Sequence, residues 1–374
     1  MKFIVISRML FLFVSALNLT QLPIKLNKIG LSVGMVVASF TLFQCIFLAF
    51  GTWVSAWLAR RVNGYRNVVM VSLGMSVCSQ FLYPIGDYCK SVSIFFLAQS
   101  FHGIACALFY PLSNTLMEQT FTKGSERKSR GFFQSLIRSA ENIGSVAGVS
   151  LATSPLGLFS WGIGIGISLL VFLLLSIDKF PRLEVTSRKL SWRELKDVPS
   201  LKSTYPAFFL ATVQGALLVS GILYLIANGE NPVLLIIGQW IGIALMSLIG
   251  YLTQKKGNRF AIFVCLICLM LGLIGLIYSP HLGHFSYLGF IIAGILLGTS
   301  TSGGWICFLN IAQESADKEK PTEGYAHFTL LWRLGILTGQ LFSPYLGYLE
   351  SWYSALGVVV LLFIFVFFSR SKIS

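Results

Sequence analysis

The chain has 374 residues, of which 55% are hydrophobic and only 11% charged, and its formal net charge is +14. Soluble domains carry about 25% charged residues, so so few charges could not cover a surface in water; a soluble enzyme, a nucleic-acid-binding protein and a disordered chain are excluded. The mean hydropathy of +0.77 points to a polytopic membrane protein, in which excess Lys and Arg report loops facing the cytoplasm.

A membrane helix needs about 20 mostly apolar residues. Twelve stretches qualify, in chain order 4–24, 31–57, 67–86, 92–117, 131–152, 157–177, 205–227, 232–252, 260–279, 286–311, 326–348 and 351–369. They are long and continuous rather than alternating, which predicts helices and not barrel strands. Little more than about ten residues per loop remains after twelve such spans, too few for a soluble domain. The first stretch, with Lys2 before an apolar run, can also be read as a secretory signal. Read as a span, it puts both chain ends on one side. It carries Arg8, which is expected to snorkel to the membrane surface, with cavity lining as the alternative.

The basic residues orient these spans. With a cytoplasmic N-terminus, 22 of the 28 Lys and Arg fall on the cytoplasmic side, three (Lys25, Lys28, Lys90) fall opposite, and Arg8, Arg138 and Arg333 lie within spans. That asymmetry is a positive-inside signal placing both termini in the cytoplasm, for a multi-pass protein of the cell (inner) membrane. It also explains the net charge without nucleic acid. Six of the seven cysteines lie in spans. Cys265 and Cys268 form a CxxC in the ninth span, but no further ligands stand nearby, so they read as packing residues and no metal is expected. There is no GxxxxGK[ST] loop, so no cofactor is expected and energy must come from an ion gradient.

The longest polar stretch, Asp178 to Thr204, follows the sixth span. It divides the chain into residues 1–178, a cytoplasmic linker 179–204, and residues 205–374. The halves align at an offset near 195. GIACALFYPLSNTLMEQT from Gly103 lies over GTSTSGGWICFLNIAQES from Gly298, Arg138 over Arg333, and Gly144 over Gly339. AWLARRVNGYR from Ala56 lies over GYLTQKKGNR from Gly250. A parallel repeat of six spans joined by a cytoplasmic linker is transporter architecture.

On these residues the whole chain resembles the major facilitator superfamily. The family's loop signature, Gly-x-Leu-x-Asp-Arg-x-Gly-Arg-Arg, is matched by Leu58, Arg61, Gly64 and Arg66 in the first half, and by Gly250, Leu252, Lys255, Gly257 and Arg259 in the second. The signature aspartate is replaced by Arg60 and by Gln254. Gln99 stands at the family's fourth-helix arginine position before Gly103, and Gly144 and Gly148 lack the antiporter proline. The resemblance implies an all-α polytopic membrane protein, with twelve transmembrane helices in two pseudo-symmetric six-helix bundles (MFS fold) and alternating access. It also implies gating by Arg60, Arg61, Gly64, Arg66, Lys255, Lys256, Gly257 and Arg259. Read from the residues alone, these basic loops can bind anionic lipid headgroups and helix C-termini, or serve as topology anchors.

A charge inside the bilayer is costly and marks function by default. Arg138 lies about seven residues into the fifth span, roughly 10 Å deep at 1.5 Å per residue, and Arg333 is similarly placed in the eleventh. The two are expected to face one another across a central cavity and to bind an anion; bonding to helix carbonyls and a carboxylate is the alternative. Glu141 shares a helix face with Arg138, either as a static ion pair or as a proton carrier released when substrate takes the arginine. Gln99, His102, Asn114, Gln214, Gln239, Trp305 and Asn310 complete the expected substrate lining. His102 is otherwise a packed, hydrogen-bonded histidine.

The functional expectation is a secondary active transporter. It would move a small organic anion or amphiphilic metabolite, siderophore-like or drug-like, by proton-coupled alternating access, with export slightly ahead of uptake. Its partners are the substrate, protons and anionic lipids, and it works as a monomer. The alternatives are a proton-coupled importer, a non-transporting receptor or assembly factor, and a membrane-embedded lipid-modifying enzyme using His102 and Ser100.

Overall fold

The computed structural model describes residues 3–30, 33–54, 58, 65–122, 130–178, 199–227, 233–315 and 321–368. Twelve α-helices occur among the described residues, one for each apolar stretch. They are α1 Ile4–Lys28, α2 Val33–Ala49, α3 Tyr65–Cys89, α4 Val92–Thr122, α5 Arg130–Thr153 and α6 Ser160–Ile177. They continue as α7 Pro199–Ala227, α8 Val233–Lys256, α9 Asn258–Tyr278, α10 Ser286–Ser315, α11 Pro321–Leu346 and α12 Tyr348–Phe368. The chain is an all-helical membrane protein with twelve spans. Among the described residues, six stretches are long and apolar enough to cross a membrane, and one of these, Asn258–Ala312, takes in both α9 and α10.

Several helices are interrupted. The second span leaves the α-helix after Ala49 and continues as a π-helical turn, Phe50–Val54. Pro84, Pro111 and Pro206 lie inside α3, α4 and α7. Each lacks an N–H, so the carbonyl four residues earlier loses its helical donor. Packed neighbours make such breaks tolerable at membrane depth.

The chain divides into two compact units, Met1–Gly124 with Ala140–Lys189, and Ser125–Ser139 with Leu190–Ser374. In the first, α3 and α2 pack on α4, and α1 and α3 pack on α6. Phe95, Ala98, Tyr83, Trp161, Leu22 and Leu26 form a buried cluster there. In the second, α7 packs on α11, and α10 packs on α8, α9 and α7. A large apolar core built from Leu266, Leu269, Phe290, Phe308 and Trp352 fills the space between them. The last helix of each unit exposes aliphatic and aromatic side chains, among them Leu173, Leu361 and Phe365, as a lipid-facing helix should.

One pair contact recurs in both units. A Cβ on Gly144 of α5 would collide with the Met9 carbonyl of α1, and one on Gly148 with the Phe13 carbonyl. In the second unit a Cβ on Gly339 of α11 would collide with the Thr212 carbonyl of α7. One turn on, Ser343 Oγ donates to the Ala216 carbonyl at 3.4 Å. Only glycine allows backbones this close. The contact sets the register of the repeat: Met9 matches Thr212, and Phe13 matches Ala216.

Candidate functional site

The first helix turns its one arginine inward. Arg8 Nε donates to Glu141 Oε1 at 2.5 Å, and its Nη2 donates to the same oxygen. Its Nη1 donates to Ser113 Oγ at 2.7 Å, and the guanidinium carbon lies 5.6 Å from the centre of the Tyr110 ring. Arg8 and Glu141 are each 1% exposed, and Ser113 is fully buried. The expected snorkelling of Arg8 is therefore corrected. A planar fork that reaches a carboxylate, a hydroxyl and a ring face has no reason to return to the surface. The site joins α1, α4 and α5. Glu141 pairs with Arg8 across helices; the side chain of Arg138, its expected partner on α5, lies outside the described residues.

The register set by the glycine contacts shows what the second unit has instead. Arg8, one residue before Met9, matches Ala211. Glu141, three before Gly144, matches Ile336, and Ser113 matches Phe308 at the sequence offset of the repeat. Ala211, Ile336 and Phe308 are all buried in the apolar core. Among the described residues, the places of Arg8, Glu141 and Ser113 are apolar in the second unit.

Polar residues continue along the facing sides of α1 and α4. On α4 they are Gln99, His102, Cys106, Tyr110 and Ser113, spaced by three, four, four and three residues, which is one helical face. His102 Nε2 lies 3.0 Å from Ser15 Oγ and 3.7 Å from Cys106 Sγ. The ring is stacked on Phe43 at 5.5 Å and on Phe11 at 6.3 Å. Tyr83 donates its hydroxyl to Gln99 Oε1 at 3.0 Å. Beyond it, Tyr83 stacks on Trp161 with ring centres 4.8 Å apart. Trp161 Nε1 and Lys25 Nζ both donate to Asp87 Oδ2, at 3.2 and 2.5 Å. Ser15, Ser113, Tyr83 and Asp87 had not been singled out in the sequence. The α4 spacing was the available signal for Ser113 and Tyr110.

The other expected residues are scattered. Arg333 is half-buried on α11. Gln214 on α7 is half-buried, and its Oε1 makes no hydrogen bond among the described residues. Trp305 on α10 is buried edge-on against Phe328 at 5.4 Å. Asn310 Nδ2 donates to Asn258 Oδ1 at 3.4 Å, and Asn258 Nδ2 donates to Glu314 Oε2 at 3.3 Å. The side chains of Asn114 and Gln239 lie outside the described residues, as do Arg60, Arg61 and Gly64 altogether. Ser100 Oγ donates to the Phe96 carbonyl of its own helix at 2.9 Å, while His102 meets Ser15. Among the described residues, no three His, Cys, Asp or Glu come together to hold a metal ion.

The signature arginines bind helix ends. Arg66 at the start of α3 donates to the Ser176 carbonyl at the end of α6, at 2.8 Å. Arg259 at the start of α9 donates to the Val366 and Phe367 carbonyls at the end of α12, at 3.2 and 2.8 Å. In each unit a cation thus satisfies carbonyls left over at a helix C-terminus. Lys255 lies 4.8 Å from the Tyr251 ring centre, and Lys256 is exposed. Gly257 separates α8 from α9 with φ +86°, a conformation that glycine adopts without steric cost.

The model of a protein family described as Major Facilitator Superfamily matches residues 4–340. Comparison with curated protein sequences finds no match. Among solved structures, the chain is similar to the nucleoside transporter NupG (TM-score 0.70, 16% identity, 98% of each chain covered). It is similar to the human organic anion transporter TETRAN (0.70, 15%, 98% of each), and to the E. coli fucose:proton symporter FucP (0.68, 15%, 98% of each). At such identities the likeness is one of fold.

Proposed function

We propose that this chain, which belongs to the Major Facilitator Superfamily and is a transporter rather than an enzyme, moves a small organic anion or amphiphilic metabolite by proton-coupled alternating access. Export stands slightly ahead of uptake. The observation that carries this reading is the buried Arg8–Glu141 pair. Arginine stays ionised at any working pH, so Glu141 is the member that can change charge. An incoming carboxylate or phosphate offers Arg8 the same fork geometry as Glu141 does. If it displaces Glu141, the carboxylate is left in the membrane interior without its arginine, and breaking such a pair costs about 3–5 kcal/mol. Taking up one proton removes that charge. Anion in and proton on are then one event, and the site stays neutral throughout.

Arg138 and Arg333 supply further cationic contacts at matching places in the repeat, with Gln99, His102, Gln214, Trp305 and Asn310 among the polar and aromatic lining. An organic anion transporter and a fucose:proton symporter among the fold neighbours are in keeping with this chemistry. The bundles are residues 1–178 and 205–374, joined by 179–204. Both termini lie in the cytoplasm, and Arg66, Lys255, Lys256 and Arg259 lie where anionic lipid headgroups of the inner membrane can reach them. Because anion and proton load together, the same exchange driven by an inward proton gradient makes an importer of an anionic nutrient or siderophore, and in export the proton leaves with the anion.

The test is transport in proteoliposomes with an imposed pH gradient, offered a panel of organic carboxylates and read by mass spectrometry. Wild type should move at least one of them up its gradient, and Glu141→Gln should only equilibrate it. Accumulation by Glu141→Gln equal to that of wild type would end the coupling role.

A further inference from the structure

Arg8 touches α4 on both sides of a break. Tyr110, whose ring it faces, precedes Pro111, and Ser113, whose hydroxyl it binds at 2.7 Å, follows it. Pro111 has no N–H to give to the Ala107 carbonyl one turn back. Opposite this break, α2 carries its own irregularity, the π-helical turn Phe50–Val54. The two meet: a Cβ placed on Gly51 would lie 3.5 Å from the Ala107 carbonyl. Phe47, one turn before Gly51, stacks on Tyr110 at 6.3 Å. A proline break set against a π-turn is where paired helices can bend without losing regular hydrogen bonds.

We propose that Ser113 is a positioning residue that passes the state of the Arg8–Glu141 pair to the end of α4, which turns about Pro111. While Arg8 holds Glu141 and Ser113 together, the segment after Pro111 is pinned to α1 and α5. Ser113 Oγ also donates to the Tyr110 carbonyl at 3.2 Å, so the one hydroxyl ties the segment both to Arg8 and back across the proline. When a substrate anion turns the guanidinium toward itself, Ser113 loses its donor and residues 112–122 are released as a unit. The direction of the bend follows from the side on which the tie is lost, away from α1. The second unit has Phe308 at the place of Ser113 and Ala211 at the place of Arg8, both in the apolar core, so the switch works in the first half alone. This inference rests on the transport reading only for what triggers the release. The tie itself exists without substrate.

The experiment is amide hydrogen exchange of the full chain in detergent without substrate, resolved along α4. Ser113→Ala should raise exchange several-fold over residues 112–122 while leaving 92–108 unchanged, since protection there reports local opening. Ser113→Thr, which keeps the hydroxyl, should restore protection. Pro111→Ala, which returns the missing N–H, should lower exchange beyond the break and slow net transport more than it weakens anion binding. Unchanged exchange in Ser113→Ala, or a rise spread evenly along α4, would overturn the proposal. If no organic anion is ever transported but the exchange pattern holds, the tie stands and the substrate reading is what fails.

Discussion

Arg8 and Glu141 stand 133 residues apart in the chain and meet in a buried ion pair. Two charges taken out of water gain little net stability together, yet each depends strongly on the other. Such a pair is a costly way to join α1 to α5, since Gly144 and Gly148 already bring the helices into backbone contact. In the second unit the equivalent helices pack just as closely with Ala211 and Ile336 at those places. The fold therefore does not need the charges, and their cost is consistent with a role in transport.

Removing one partner should expose this dependence. Glu141→Leu leaves Arg8 buried without its carboxylate and should lower stability by about 3–5 kcal/mol. The double variant Arg8→Leu with Glu141→Leu should recover most of that loss, because it restores the apolar character of the Ala211–Ile336 pair. Thermal unfolding in detergent measures both. A double variant no more stable than Glu141→Leu would mean that the pair itself holds the bundle together.

Arg8→Lys should fold and fail. An ammonium keeps the charge but cannot bridge Glu141 and Ser113 with a planar fork. Near-normal unfolding with transport reduced at least about tenfold, or roughly 1.4 kcal/mol of transition-state stabilisation, is the expected pattern. Wild-type rates in vesicles would show that charge alone suffices.

How much of this was readable beforehand depends on the kind of contact. Span positions follow from apolar runs, and each run became a helix. The match of Gly144 to Gly339 is visible in the aligned sequence, and so is the break at Pro111. The depth of Arg8 is readable too, but its direction is not. Five residues into a helix is equally compatible with snorkelling outward and with reaching a carboxylate far away in sequence. Nothing local in α1 names Glu141 or Ser113. Arg138, closer to Glu141 in sequence, offers a helix-face partner that needs no knowledge of packing, whereas Arg8 reaches the same carboxylate from a different helix.

The matched glycines give a prediction for both units. Gly144→Ala and Gly339→Ala each place a methyl against a backbone carbonyl, of Met9 and of Thr212 respectively. Backbone cannot yield as a side chain can, so each should lose about 1–3 kcal/mol. Gly74→Ala in α3, where nothing lies within 4 Å of the added carbon, should leave the midpoint of unfolding unchanged or slightly raised. Equal behaviour of the three variants would refute the close approach.

Arg138→Gln and Arg333→Gln test the anion site apart from the pair. Both residues lie at matching places in the repeat. Each variant should insert and fold normally and lose affinity for the transported anion, read as a rise in KM. Full activity of both would remove them from the site.

The exchange proposed at Arg8 has a sign that can be measured directly. On the proposed mechanism Glu141 is ionised while it pairs with Arg8 and takes up a proton when an anion displaces it. Adding a transported carboxylate to wild-type protein in weakly buffered detergent solution should therefore take protons up and raise the pH of the medium. About one proton per bound anion is expected, because one carboxylate changes state. Glu141→Gln removes that carboxylate and should bind the anion with no pH change. Proton release by wild type on binding would reverse the assigned order of events. A pH rise that persists in Glu141→Gln would move the coupling to another titrating group, for which buried His102, bonded to Ser15 between α1 and α4, is the first candidate.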